Sequence, residues 1–134
     1  MPWNILVPEQ VPYVEVTISG ELSGADVFLS YDACISAAQI AGRKLLLADL
    51  ADFRGGPSIV DLMDMAAERQ KEPNRTILRT AMILPVLERP AKLVQYSETV
   101  FVNRGLTAKA FSDRSDAKAW LISEASALGI AQVR

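Results

Sequence analysis

Apolar and polar positions alternate strictly over residues 13–19, YVEVTIS, where Val14, Val16 and Ile18 interleave with Glu15, Thr17 and Ser19. A period of two predicts a strand with one buried face. A shorter apolar stretch at residues 3–7 precedes it, and Pro8 to Pro12 supply a turn, so the pair predicts an edge hairpin. The period then changes. Val27, Phe28, Tyr31, Cys34, Ile35 and Ala38 recur at helical spacing. Ser23 and Asp26 fit a capping box ahead of them and Gly42 supplies a stop, which predicts a helix over 24–41. LLLADL at 45–50 is a short continuous apolar run, the pattern of a central parallel strand covered on both faces.

Strand and helix patterns go on alternating. Ile59, Leu62, Met63 and Ala66 predict the inward side of a helix over 58–71, stopped by Pro73. Residues 78–84, LRTAMIL, read as a strand closed by Pro85. Pro90 can open a helix over 91–104 from its first turn, with Leu93, Tyr96, Val100 and Phe101 apolar and Gly105 at its end. A last strand falls at 107–111. Asp113 and Asp116 open a final helix over 114–128, with Ala117, Trp120, Leu121 and Leu128 inward and Gly129 closing it. This order predicts an α/β fold: a mixed, mostly parallel sheet of four or five strands with an N-terminal hairpin and four helices. The 134 residues contain no repeat or linker and predict one domain, residues 1–134, with ends 1–2 and 130–134 expected to fray.

Composition narrows the function. Half the residues are apolar and 22% are charged, as in soluble globular proteins. A net charge of −2 gives no global positive field to draw nucleic acid or anionic lipid. No apolar run approaches the ~18–20 residues of a membrane span. MPWNILVPEQ lacks the basic and long apolar regions of a secretory signal. Cys34 is the sole cysteine and cannot form an internal disulfide. Together these features point to the cytoplasm. Histidine is absent, which removes the usual acid–base side chain near neutral pH and every Ser-His-Asp or Cys-His arrangement. One cysteine cannot build a zinc site. The expectation is a protein that is not an enzyme and holds no cofactor or metal.

RGGPSIVD at 54–61 is the main candidate for chemistry. Read as a helix start, Ser58 caps, Asp61 answers three residues on, and Gly55 and Gly56 turn the chain off the strand. Ser58 also suits a phosphoserine switch, since a dianion is favoured at a helix N-terminus. A small-anion site is the third reading. The lysine and glycine spacing of a P-loop is missing. Asp49, Asp52, Asp61 and Asp64 could instead hold Mg²⁺, or be a strand-end acid and a solvated turn. Arg69, Lys71, Arg75 and Arg79 read as a solvated helix end with ion-pair partners, or as a contact for an acidic partner, at the sheet end opposite Ser58. Cys34 lies on an apolar stripe and is expected to be buried and inert. Met63, Met65, Tyr96 and Phe101 are expected in the core or at its rim.

Three segments share a further pattern. ISGELSGAD at 18–26, LLLADLADFRG at 45–55 and AFSDRSDAKAWL at 110–121 resemble, in order, the opening, the central strand with its loop, and the closing strand and helix of the SpoIIAA-like, or STAS-like, family. The resemblance implies a sheet with helices on one side, which can leave an apolar groove. It also implies kinship with anti-sigma-factor antagonists, which bind protein partners and are phosphorylated on a serine at the position of Ser58. Where those antagonists carry an Asp-Ser-Ser/Thr-Gly-like motif, this chain has Gly56, Pro57, Ser58 and Ile59. The reading that follows is a non-catalytic cytoplasmic interaction domain. Its protein partner is expected at Arg54, Gly55, Gly56, Ser58, Asp61 and the following helix. The alternative is a binder of a small apolar, lipid-like ligand or an anionic metabolite, and a third is a carboxylate metal-dependent enzyme. No motif sets an oligomeric state.

Overall fold

The computed structural model describes residues 2–72 and 75–130. The alternating segment forms β2 (Tyr13–Ile18), and β1 (Trp3–Leu6) pairs with it antiparallel, Trp3 opposite Ile18. Then follow β3 (Gly20–Glu21), α1 (Gly24–Ala41), β4 (Leu45–Asp49), β5 (Phe53–Gly55), α2 (Ile59–Gln70), β6 (Arg79–Ile83), α3 (Glu88–Asn103), β7 (Ala108–Phe111) and α4 (Arg114–Ala127). The main sheet has five strands in the order β1-β2-β4-β6-β7, and every pair after the hairpin is parallel. The predicted helices and strands are all present. Only α3 moves noticeably. It begins at Glu88, ahead of Pro90, which sits in its first turn as a proline can. Pro73, the expected stop of α2, and the expected fraying at 131–134 lie outside the described residues.

A second, two-stranded sheet of β3 and β5 was not foreseen. Two and three residues are too short to show a period. Its place matters, because it joins the segments that lead into α1 and α2.

The expectation of helices on one side of the sheet is corrected. Val14, Val16, Leu46, Ala48 and Met82 face a core built with α1, α2 and α3. Tyr13, Leu45, Leu47, Ala81 and Ile83 face the other way, onto Ala117, Leu121 and Ala125 of α4. Those three recur every four residues, so they form one stripe, and the two alanines let the helix lie close to the strands. Trp120 extends this contact to Phe111, with ring centroids 5.7 Å apart. The continuous apolar run of β4 is thus explained by two covered faces, as its sequence pattern predicted.

Cys34 is 2% exposed in the first core, and burial pushes its thiol up from 9.0 to about 12. The thiol is expected to resist Ellman's reagent at pH 8 in the folded protein and to react at once in urea. A linked stability effect follows. Between about pH 9 and 12 the unfolded chain has lost a thiol proton that the folded chain keeps, so this contribution is full below pH 9 and fades as pH rises to about 12. Urea titrations of wild type and Cys34→Ala over that range should show a shallower decline in the variant. Tyr31, raised to about 12 first by burial and then by Glu72, declines over an overlapping range in both proteins.

Candidate functional site

The RGGPSIVD loop is stitched to the segment before α1. The Gly20 amide donates to the Asp52 carbonyl at 2.9 Å, and the Leu22 amide to the Gly55 carbonyl at 3.0 Å. Gly56 then passes directly over Leu22 with φ +119°, and a Cβ there would stand 1.8 Å from the Leu22 carbonyl oxygen. No side chain fits, so glycine is required at this position.

Ser58 follows in extended conformation, φ −85° and ψ 168°, as the N-cap of α2. Its hydroxyl accepts from the Asp61 amide at 3.1 Å, and the Asp61 carboxylate accepts from the Ser58 amide at 2.8 Å. The helix-start reading of this stretch is therefore present with both halves of its capping box. Ser23 and Asp26 form the same box at α1, with bonds of 3.1 and 3.2 Å. The two boxes touch. Asp61 lies against Gly24, where a Cβ would come within 2.6 Å of its carboxyl carbon. One carboxylate thereby faces the positive ends of both helices. Ser58→Ala is expected to cost about 0.5–2 kcal/mol in urea denaturation, while Ser58→Asp, which also caps, should keep near wild-type stability.

The connection into α3 reaches the same end of the sheet, where the Val86 amide donates to the Ala51 carbonyl at 3.1 Å. Between the loop, the start of α2 and α3 runs an open groove of 540 Å³ lined by Arg54, Gly55, Gly56, Ile59, Arg89 and Tyr96, among others. Lys92 on its rim pairs with Glu88 at 3.1 Å. Arg54 and Arg89 meet no carboxylate among the described residues. Two exposed apolar side chains line it, Ile59 and Tyr96, and Val60 and Met63 on α2 and Val86 and Leu87 before α3 are exposed as well.

Two inward assignments are corrected here. Ile59 and Met63 are exposed, and Leu62, Met65 and Ala66 make the buried side of α2. On α3, Tyr96 is exposed and the buried stripe is Pro90, Val94, Ser97 and Phe101. Ser97 hides the stripe in the sequence because it looks polar. Its hydroxyl donates to the Val94 carbonyl at 2.6 Å, which satisfies it in the core.

The four candidate acids are not brought together. Asp61 is a cap, and Asp52 and Asp64 are exposed. Asp49 accepts from the Ala51 amide at 3.1 Å and pairs with Arg114 at 2.9 Å, while the second terminal nitrogen of Arg114 bonds Glu15 at 2.8 Å. Burial pulls the Arg114 guanidinium down, but the bond and charge of Glu15, with Asp49 and Tyr13 behind, outweigh it and hold it above its usual value. Sequence reasoning missed this bridge because Glu15 occupies a polar position of an alternating strand. Only α4 on the second face buries it. In the basic cluster, Arg69 pairs with Asp32 and Glu72, Lys71 with Glu68 and Arg79 with Glu124, which gives the expected ion-pair partners, but the Arg69 side chain is largely buried rather than solvated.

Beneath the loop lies an apolar cavity of 110 Å³ between the sheet and α1, α2 and α3, with Leu22, Phe53, Pro57 and Leu62 in its lining. No helix among the described residues is long and apolar enough to cross a membrane.

No model of a known protein family matches the sequence, and no curated protein matches it. Solved structures do. One is an uncharacterized protein of the DUF3478 family with a SpoIIAA-like fold from Shewanella loihica PV-4, with TM-score 0.56 and 21% identity over 89% of this chain and 91% of that one. Another is an anti-sigma factor antagonist from Mycobacterium paratuberculosis, with TM-score 0.52 and 19% identity over 90% of this chain and 94% of that one. The fold is SpoIIAA-like, built here from a mixed sheet with an N-terminal hairpin and four helices.

Proposed function

We propose that this chain is a non-catalytic, cytoplasmic STAS-like interaction domain that binds a protein partner across the Ser58 loop, α2 and the start of α3. The observation that carries the reading is the groove. Arg54 and Arg89, without carboxylate partners among the described residues, line it together with exposed Ile59 and Tyr96, and Val60, Met63, Val86 and Leu87 are further exposed apolar residues on α2 and just before α3. Apolar residues grouped at one end of a domain favour a partner, because water is released when they are covered. The two guanidiniums select a partner surface that is apolar at its centre and acidic at its edge. Fold similarity to an anti-sigma factor antagonist supports a regulatory role. Ser58 is exposed, so a kinase could reach its hydroxyl, but a phosphate would stand beside the Asp61 carboxylate and open the capping box. Affinity capture tests this directly. Arg89→Glu should lose the partner held by wild type, and Ser58→Asp should lose it as well if the serine is a switch. A partner retained equally by wild type and Arg89→Glu would refute the proposed surface.

The apolar cavity favours a second reading, a small apolar ligand. Its 110 Å³ is below the ~150 Å³ of an apolar cavity known to take benzene, so it suits a few carbon atoms rather than a long acyl chain. Native mass spectrometry of gently purified protein would reveal such an adduct.

A further inference from the structure

We propose that the apolar cavity and the basic groove form one site, and that this site binds a phosphate monoester with a short aliphatic tail. The inference rests on the second reading above, in which the cavity takes a small apolar ligand, and adds the head that such a ligand carries. Leu93 joins the two spaces. It is half-buried on α3 and lines both the cavity and the groove. The chain passes from one space to the other at two further places. Phe53 lines the cavity and Arg54 the groove, and Pro57 lines the cavity and Gly56 the groove.

The two spaces differ in chemistry. The cavity has no charged residue in its lining. Its two serines, Ser30 and Ser97, already donate to the Val27 and Val94 carbonyls at 2.9 and 2.6 Å. A polar head would find little there to bond, whereas an aliphatic chain loses nothing on entry. The groove is the opposite. Arg54 reaches it from the loop and Arg89 from α3, and neither meets a carboxylate among the described residues. Lys92 beside them is matched by Glu88. Two positive charges of the groove are thus left without a partner.

Charge selects the head. A phosphate monoester carries about −1.5 to −2 near neutral pH and has three acceptor oxygens, which suits two guanidinium forks. A carboxylate brings only one charge. Volume selects the tail. The 110 Å³ of the cavity holds a few carbon atoms, so the tail is short. It enters beside Leu93, whose partly exposed side chain can change rotamer to admit it. The head stays in the open groove, so no charge is carried into the core.

The test is isothermal titration of the full chain with hexyl phosphate, hexanoate, hexanol and inorganic phosphate, each on wild type, Arg54→Gln, Arg89→Gln and Ala48→Val. Ala48 lines the cavity but not the groove, so a larger side chain there takes up room for the tail alone. Circular dichroism confirms that the variants fold, and if Ala48→Val does not, the two arginine variants decide. Hexyl phosphate should bind wild type at a single saturable site. Hexanol and inorganic phosphate should each bind at least about tenfold more weakly, and hexanoate less tightly than hexyl phosphate. Each of the three variants should weaken hexyl phosphate by about tenfold. Hexanol binding as tightly as hexyl phosphate, with the arginine variants unaffected, would overturn the joined site and leave the cavity reading standing. No saturable binding of either would overturn both. Inorganic phosphate or hexanoate matching hexyl phosphate, or binding unchanged in Ala48→Val, would also overturn the proposal.

Discussion

Gly56→Ala is expected to lose about 3 kcal/mol or more of stability, or to yield no folded protein, through backbone strain and broken pairing hydrogen bonds together. The added methyl would stand 1.8 Å from the Leu22 carbonyl oxygen and 2.9 Å from its carbon. That obstacle is backbone, held by the bond from the Leu22 amide to Gly55 and by the β3–β5 pairing, so it cannot swing aside as a side chain can. The torsion adds to the clash, since φ +119° lies outside the region that residues with a Cβ adopt at ordinary cost. Gly55→Ala is the matched control. Gly55 also has positive φ, +99°, but no atom lies within 4 Å of its would-be Cβ. Its variant should lose only about 1–2 kcal/mol, the cost of the conformation itself. Urea denaturation of both proteins checks the order. Equal losses would show that the loop does not press on Leu22.

The second large effect is expected on the other side of the sheet. Leu121→Ala should cost about 2–5 kcal/mol. Leu121 is fully buried, and it is the one large side chain in a stripe otherwise made of Ala117 and Ala125. Its neighbours across the interface, Leu45 and Leu47, belong to the central strand and cannot move to fill the space. A cavity would therefore persist, which places the cost toward the upper part of that range. Thermal and urea unfolding provide the measurement. A loss below about 1 kcal/mol would mean that α4 does not seal this face.

Much of the fold was legible because its elements are long enough to show their period. The strand at β2 and the helix at α1 carry both a repeat and end signals, and both match the sequence reading closely. Ser23 and Ser58 were readable as caps because a serine followed three residues later by aspartate describes a local hydrogen-bond pair. The glycines of RGG read as a turn, whereas their contact with Leu22 depends on a pairing too short to have a pattern. Side assignments failed where one residue type misled. Ser97 concealed the buried stripe of α3, and apolar Ile59 and Met63 read as inward although both are exposed and Ile59 lines the groove. The Arg114 bridge to Glu15 and Asp49 joins residues far apart in sequence, and it exists because α4 crosses to the second face.

The proposed partner surface is tested most directly by site-specific photo-crosslinking in the native host cell. A photoreactive residue is placed at Ile59 or Tyr96 in the groove, and at Lys118 or Ile122 on exposed positions of α4. The account predicts that the groove positions crosslink the same protein, that the α4 positions do not, and that Arg89→Glu removes the crosslink without unfolding the domain. Crosslinks to that protein from α4 alone, or groove crosslinks unaffected by Arg89→Glu, would contradict it.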